Sequence, residues 1–183
     1  MELRQFDDGD IILGQLGDFF AQHIARFEIA GGQSFFTEPG WCEFFEGLTR
    51  IASPRGLVRL NRLDWDGRPI AYEYGLSYGN PYFGGPICFA GYLARRSPGK
   101  VLFQLLVLGA LEAGLAAYDL GTGDDAYKLQ FATETRATCT MGLYPRDVLE
   151  KQWADEALRL SGTSSSTNLS SGGRVSVATD CEG

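Results

Sequence analysis

The sequence predicts an α+β fold: a mixed, mostly antiparallel sheet with one parallel strand pair and helices over its faces. Three patterns in the 183 residues lead to it. Apolar residues recur at spacings of three and four in two N-terminal stretches. They alternate at a spacing of two between residues 57 and 78, with turn dipeptides at the breaks. A third, irregular strand then connects through one long apolar helix to a short buried strand, which is a βαβ crossover and makes those two strands parallel. The 24 glycines are too many for a helical bundle and imply many turns.

In order, Ile12, Leu16, Phe19, Phe20, His23 and Phe27 form the stripe of a helix over residues 10–28, ended by Gly31 and Gly32. A second helix follows Pro39, with Trp41, Phe44, Phe45, Leu48 and Ile51 on one face; Pro54 and Gly56 stop it. Residues 57–65 read as a strand, with Val58 and Leu60 on one side and Arg59 and Asn61 on the other. Asp66-Gly67 signals a two-residue hairpin into a strand over 69–78, where Ile70, Tyr72, Tyr74 and Leu76 share a face. After the turn Gly79-Asn80-Pro81 comes a third strand, 82–92. Gly84, Gly85 and Gly91 make it irregular and suggest a bulge or a close backbone approach. A helix over 98–113 with Gly114 at its end, a strand over 115–120, a loop at 121–124, a helix over 126–133, a strand over 138–144 and a helix over 146–160 complete a domain of residues 1–160. From 161 to 183 Ser, Thr, Gly and Asn dominate, and a disordered tail is expected.

Sixteen Lys and Arg against 23 Asp and Glu give a net charge of −7, which argues against a nucleic-acid binder but leaves room for a local anion site. Cys42, Cys88, Cys139 and Cys181 have neither disulfide nor zinc spacing and read as reduced thiols. No signal peptide or membrane span is expected, since the longest apolar stretch is broken by Gln104, Gly109, Glu112 and Gly114, and the expected location is the cytoplasm.

Two stretches carry chemistry. In residues 92–102, Ser97 stands where an N-cap belongs and Pro98 at the first helical position; Gly99 and Lys100 are expected to offer backbone N–H groups, and Gly99 to let a ligand approach. Arg95, Arg96 and Lys100 add three positive charges to the helix dipole, which suits a phosphate or diphosphate. A solvated basic loop at a helix start is the plainer alternative. The second stretch, 118–128, sets Asp119, Asp124, Asp125, Tyr127 and Lys128 around the end of a strand. Its Gly121-x-Gly123 is not a phosphate-binding fingerprint, and an Asp119–Lys128 pair with Asp124 or Asp125 as a cap explains it structurally. His23 is the only histidine, which excludes a histidine-rich metal site; on a core-facing stripe it reads as structural, with a catalytic base as the other reading.

The runs Phe89-Ala90-Gly91-Tyr92-Leu93-Ala94-Arg95-Arg96-Ser97-Pro98-Gly99-Lys100-Val101-Leu102 and Asp119-Leu120-Gly121-Thr122-Gly123-Asp124-Asp125-Ala126-Tyr127-Lys128 together resemble the BioF2-like (CelD/BcsL-type) acetyltransferase domain of the GNAT superfamily. His23-x-x-Arg26 followed by Phe27, and the hairpin around Asp66-Gly67, fit the same pattern over residues 15–145. The resemblance implies a GNAT-like fold, here corresponding to the second lobe of a longer pattern, and acyl transfer from acetyl-CoA or another acyl-CoA, without a metal. It assigns coenzyme binding to Phe89, Tyr92, Leu93, Arg95, Arg96, Ser97, Gly99 and Lys100, with the edge of 89–93 facing the pantetheine. Tyr127 is implied as the acid that meets the thiolate, and Asp124 and His23 are candidate bases. The acceptor is expected to be a small-molecule or saccharide amine, in keeping with cell-envelope polysaccharide synthesis; a partner or a missing lobe is a possible completion of the site. Two other readings stay open: an aminoacyl-tRNA-dependent transferase, which the acidic charge disfavours, and a non-catalytic half-domain that binds a partner.

Overall fold

The structure, a computed structural model, describes residues 1–123, 126–137 and 150. The expected strand 138–144, nearly all of the expected helix 146–160 and the tail 161–183 lie outside the described residues. Two compact units divide the chain, residues 1–121 and 122–183. The first holds β1 (Glu2–Phe6), α1 (Gly9–Ile29), α2 (Trp41–Ala52), β2 (Val58–Trp65), β3 (Arg68–Ser77), β4 (Tyr82–Phe83), β5 (Ile87–Phe89), α3 (Pro98–Glu112) and β6 (Tyr118–Asp119). Among the described residues of the second is the short helix α4 (Ala126–Leu129), four residues where eight were expected.

The sheet runs β1-β2-β3-β4-β6, with β5 also paired to β3. All pairs are antiparallel except β4 with β6. β1 was not anticipated: five residues rich in polar side chains carry little periodicity, and pairing with β2 holds them. At the start of α1 the Asp8 carboxylate accepts from the N–H groups of Asp10 and Ile11, both at 3.0 Å. Ile12, Leu16, Phe19 and Phe20 of α1 and Phe45 and Ala52 of α2 pack with Leu60, Tyr72, Tyr74 and Cys88 on one face of the sheet. Leu102 and Leu106 of α3 pack with Leu63, Ile70 and Ala71 on the other.

Two departures follow from bulges. Leu63 pairs with Ala71 but Asp64 with Pro69, so Ile70 is an extra residue and joins the α3 side rather than the face of Tyr72 and Tyr74. The expected strand 82–92 breaks into β4 and β5 and then a 3-10 turn over Gly91–Arg96. Tyr92 and Leu93 therefore lie on that turn, not on a strand edge. No helix among the described residues is long and apolar enough to cross a membrane.

Candidate active site

β4 and β6 are joined at Tyr82–Tyr118 and Phe83–Asp119, closed by Tyr82 N–H to the Ala117 carbonyl (2.9 Å) and Gly84 N–H to the Asp119 carbonyl (2.8 Å). Beyond Gly84 they are no longer paired: β6 ends at Asp119, and the segment after β4 continues into β5 along β3. The β5 main-chain groups of Pro86, Cys88 and Ala90 turn toward β3: Tyr74 N–H donates to the Pro86 carbonyl (3.1 Å), Cys88 pairs with Tyr72, and Ala90 N–H donates to the Ile70 carbonyl (2.8 Å). By the alternation of an antiparallel ladder, those of Ile87 and Phe89 face away from β3, on a side where no described strand pairs with them.

The parting is built by a bulge. Leu76 pairs with Phe83 and Glu73 with Ile87, so Gly84, Gly85 and Pro86 oppose only Tyr74 and Gly75. Gly85 is pressed onto the Tyr74 carbonyl, where any Cβ would collide with the oxygen. Its N–H donates to Glu73 Oε1 at 3.0 Å. Glu73 Oε2 accepts from the Tyr82 hydroxyl (2.7 Å) and the Asn61 amide (2.6 Å), and Asn61 Oδ1 accepts from Gln5 Nε2 (2.9 Å). Asn61, Glu73 and Tyr82 are all buried. Burial pushes the Glu73 carboxyl up, against the pull of these three donors, and raises the Tyr82 phenol further. Sequence reading assigned Asn61 to a polar face and passed over Glu73. Alternation alone cannot tell that both sheet faces are covered.

At the far end of β5, the 3-10 turn feeds α3. Arg95, Arg96, Ser97 and Lys100 are exposed, and the Arg96 guanidinium lies over the Trp65 ring at 5.4 Å. The start of the helix differs from expectation at Ser97, at the Lys100 amide and in the packing of Gly99, while the Gly99 amide is as expected. Ser97 occupies the N-cap position in the left-handed conformation (φ 50°) and makes no side-chain cap bond. The Lys100 N–H is used internally, on the Ser97 carbonyl at 2.9 Å. Pro98 has no N–H, so Gly99 keeps the one first-turn amide without an acceptor among the described residues. Gly99 is also buried against Phe89: a Cβ there would stand 2.9 Å from the ring. Its small size first serves the approach of helix to strand.

His23 is 2% exposed, hydrogen-bonded through Nδ1 to Ser34 Oγ (2.8 Å) and surrounded by the rings of Phe19, Phe27, Phe35 and Phe36. Burial, helped by the charge of Arg26, lowers its pKa to about 4. It is a core histidine, neutral at pH 7. Asp119 Oδ1 accepts from Gly121 N–H (2.7 Å). In the second unit Lys128 Nζ donates to the Thr122 carbonyl (2.6 Å), and Tyr127 is half-buried on α4. Asp124 lies outside the described residues. Among the described residues no three His, Cys, Asp or Glu side chains form a metal-holding group.

The site thus consists of a short parallel pair, β4 with β6, a glycine bulge between β4 and β5, and a cationic helix start beyond β5. The chain matches the family described as acetyltransferase (GNAT) domain over residues 4–129, and it belongs to that family. Among solved structures it is similar to a probable acetyltransferase (15% identity, TM-score 0.54, covering 80% of this chain and 100% of that one). It is similar also to a ribosomal-protein-alanine N-acetyltransferase from Brucella melitensis biovar Abortus 2308 (11%, 0.52, 80% and 99%). A third is an aminoglycoside acetyltransferase from an uncultured soil metagenomic sample, in complex with trehalose (15%, 0.51, 78% and 96%). At these identities the likeness is one of fold. No curated protein matches.

Proposed function

We propose that the protein is an acyl-CoA-dependent N-acyltransferase of the BioF2-like type, working in the cytoplasm on a small-molecule or saccharide amine. The observation that carries the reading is the β5 edge at Ile87 and Phe89, unpaired among the described residues, which runs from the glycine bulge to a helix start flanked by Arg95, Arg96 and Lys100. A pantetheine arm is an amide chain, and an unpaired strand edge is its natural partner. A diphosphate suits the helix dipole with three nearby cations.

In this reading the thioester rests beside the bulge, and outward amides of the bulged strand polarise its carbonyl. A neutral amine attacks the carbonyl carbon; the C–S bond breaks; the amine proton leaves to a base or a water chain; and the thiolate takes a proton. Tyr127 is proposed as that acid and Asp124 as a base. His23, neutral and enclosed, is assigned to packing. The net charge of −7 favours a cationic amine. The test is thiol release from acetyl-CoA on the full chain with a panel of amino sugars, aminoglycosides and peptide N-termini. Turnover with at least one, and a product heavier by one acetyl group, is expected; coenzyme binding with no turnover on any class would leave a binding module instead.

A further inference from the structure

Arg26 stands out among the described cations. It makes no ion pair among the described residues, and its Nε is buried with no hydrogen-bond partner. Two aromatic faces hold it, Phe27 and Phe89, each ring centre 5.0 Å from its guanidinium carbon. The second contact requires a particular path. α1 packs on the Cys88 side of the sheet, whereas Phe89 points to the α3 side. Arg26 thus reaches around β5 to lie against Phe89. The same ring packs on Gly99, at the first turn of α3. One turn further along α1, the Ile29 side chain touches Gly91, the first residue of the 3-10 turn that bears Arg95 and Arg96. Arg26 therefore comes from another element to the same end of β5.

A guanidinium in this setting is half-buried and faces rings instead of carboxylates. Stacking on two rings fixes its position and leaves its outer N–H groups to donate. Its planar fork suits a phosphate. We propose that Arg26 is a coenzyme-binding residue, contacting the phosphate groups of the acyl carrier from α1 as a fourth cation beside Arg95, Arg96 and Lys100. The proposal rests on the acyl-CoA reading and adds to it a phosphate contact from outside the loop.

The experiment titrates the full chain with CoA and with pantetheine, which lacks the phosphates, at low and high salt. Wild type, Arg26→Met and Arg26→Lys are compared, and thermal melting establishes that each is folded. Arg26→Met is expected to weaken CoA binding about tenfold and flatten its salt dependence while leaving pantetheine binding unchanged; Arg26→Lys, which keeps the charge but not the stacked fork, falls between Met and wild type. Equal weakening of CoA and pantetheine would make Arg26 a packing residue and overturn the proposal, as would unchanged CoA affinity in the folded Met variant. A wild-type chain that takes no CoA overturns the acyl-CoA reading itself. Should Arg26→Met fail to fold, Arg26→Gln, neutral and polar, carries the same comparison.

Discussion

Glu73 holds Gly85: a buried carboxylate on β3 accepts the backbone N–H of the bulged residue at 3.0 Å, at the point where β4 and β6 part. One side chain thereby ties down the bulge. Gly85→Ala would drive a methyl group into the Tyr74 carbonyl. A loss of about 2 kcal/mol or more in urea denaturation is expected, together with weakened coenzyme binding. A variant as stable as wild type, with the same affinity, would show that the bulge is not needed.

The Glu73 carboxyl also sets a pH dependence. Burial raises its folded pKa above the unfolded value, so between those two values the native state binds more protons than the unfolded chain. The contribution is fully present below the ordinary carboxylate range and is lost as pH rises through the folded pKa. Glu73→Gln should remove this falling limb from a curve of stability against pH.

His23 acts with the opposite sign. Its pKa is lowered to about 4, so between about 4 and the ordinary histidine value the unfolded chain binds more protons. Stability contributed by the neutral imidazole is complete above that window and lost as pH falls through it, by roughly 3 kcal/mol at most. His23→Asn should flatten the rising limb while leaving the Glu73 limb in place.

Asp64 is buried between Arg62 (2.8 Å) and Arg4 (3.2 Å). Asp64→Ala leaves the mostly buried Arg62 without its carboxylate, and a loss of about 3 kcal/mol is expected in chemical denaturation. Arg4→Ala, which removes a half-exposed partner, should cost under about 1 kcal/mol.

Tyr127→Phe tests the acid. A fall in kcat of tenfold or more with coenzyme affinity unchanged is expected. Equal turnover would take the role from Tyr127.

Much of the first unit was legible in the sequence. The helix stripe from Ile12 to Phe20 and the hairpin at Asp66-Gly67 lie where periodicity and turn chemistry put them, and Asp66 and Gly67 both take positive φ. The irregularity at Gly84 and Gly85 was visible as well. Its meaning was not: the two-for-three pairing and the Glu73 contact join residues twelve apart that no local pattern links. β1 escaped because five polar-rich residues gain their shape only from β2. At the helix start the cations were readable from residue type alone. The left-handed Ser97, the spent Lys100 amide and the Phe89–Gly99 packing depend on how the turn meets the strand. Arg26 was seen only as part of a motif, because its reach around β5 exists only in the folded chain.

The most direct measurement is calorimetric titration of the full chain with desulfo-CoA, on wild type and on the Arg95→Ala/Arg96→Ala variant. Both arginines are exposed, so stability should change by no more than about 0.5 kcal/mol. One site on the wild type, weakened at least tenfold in the variant, is the expected result. Heat identical in both proteins, or none in either, would contradict a diphosphate held at the start of α3.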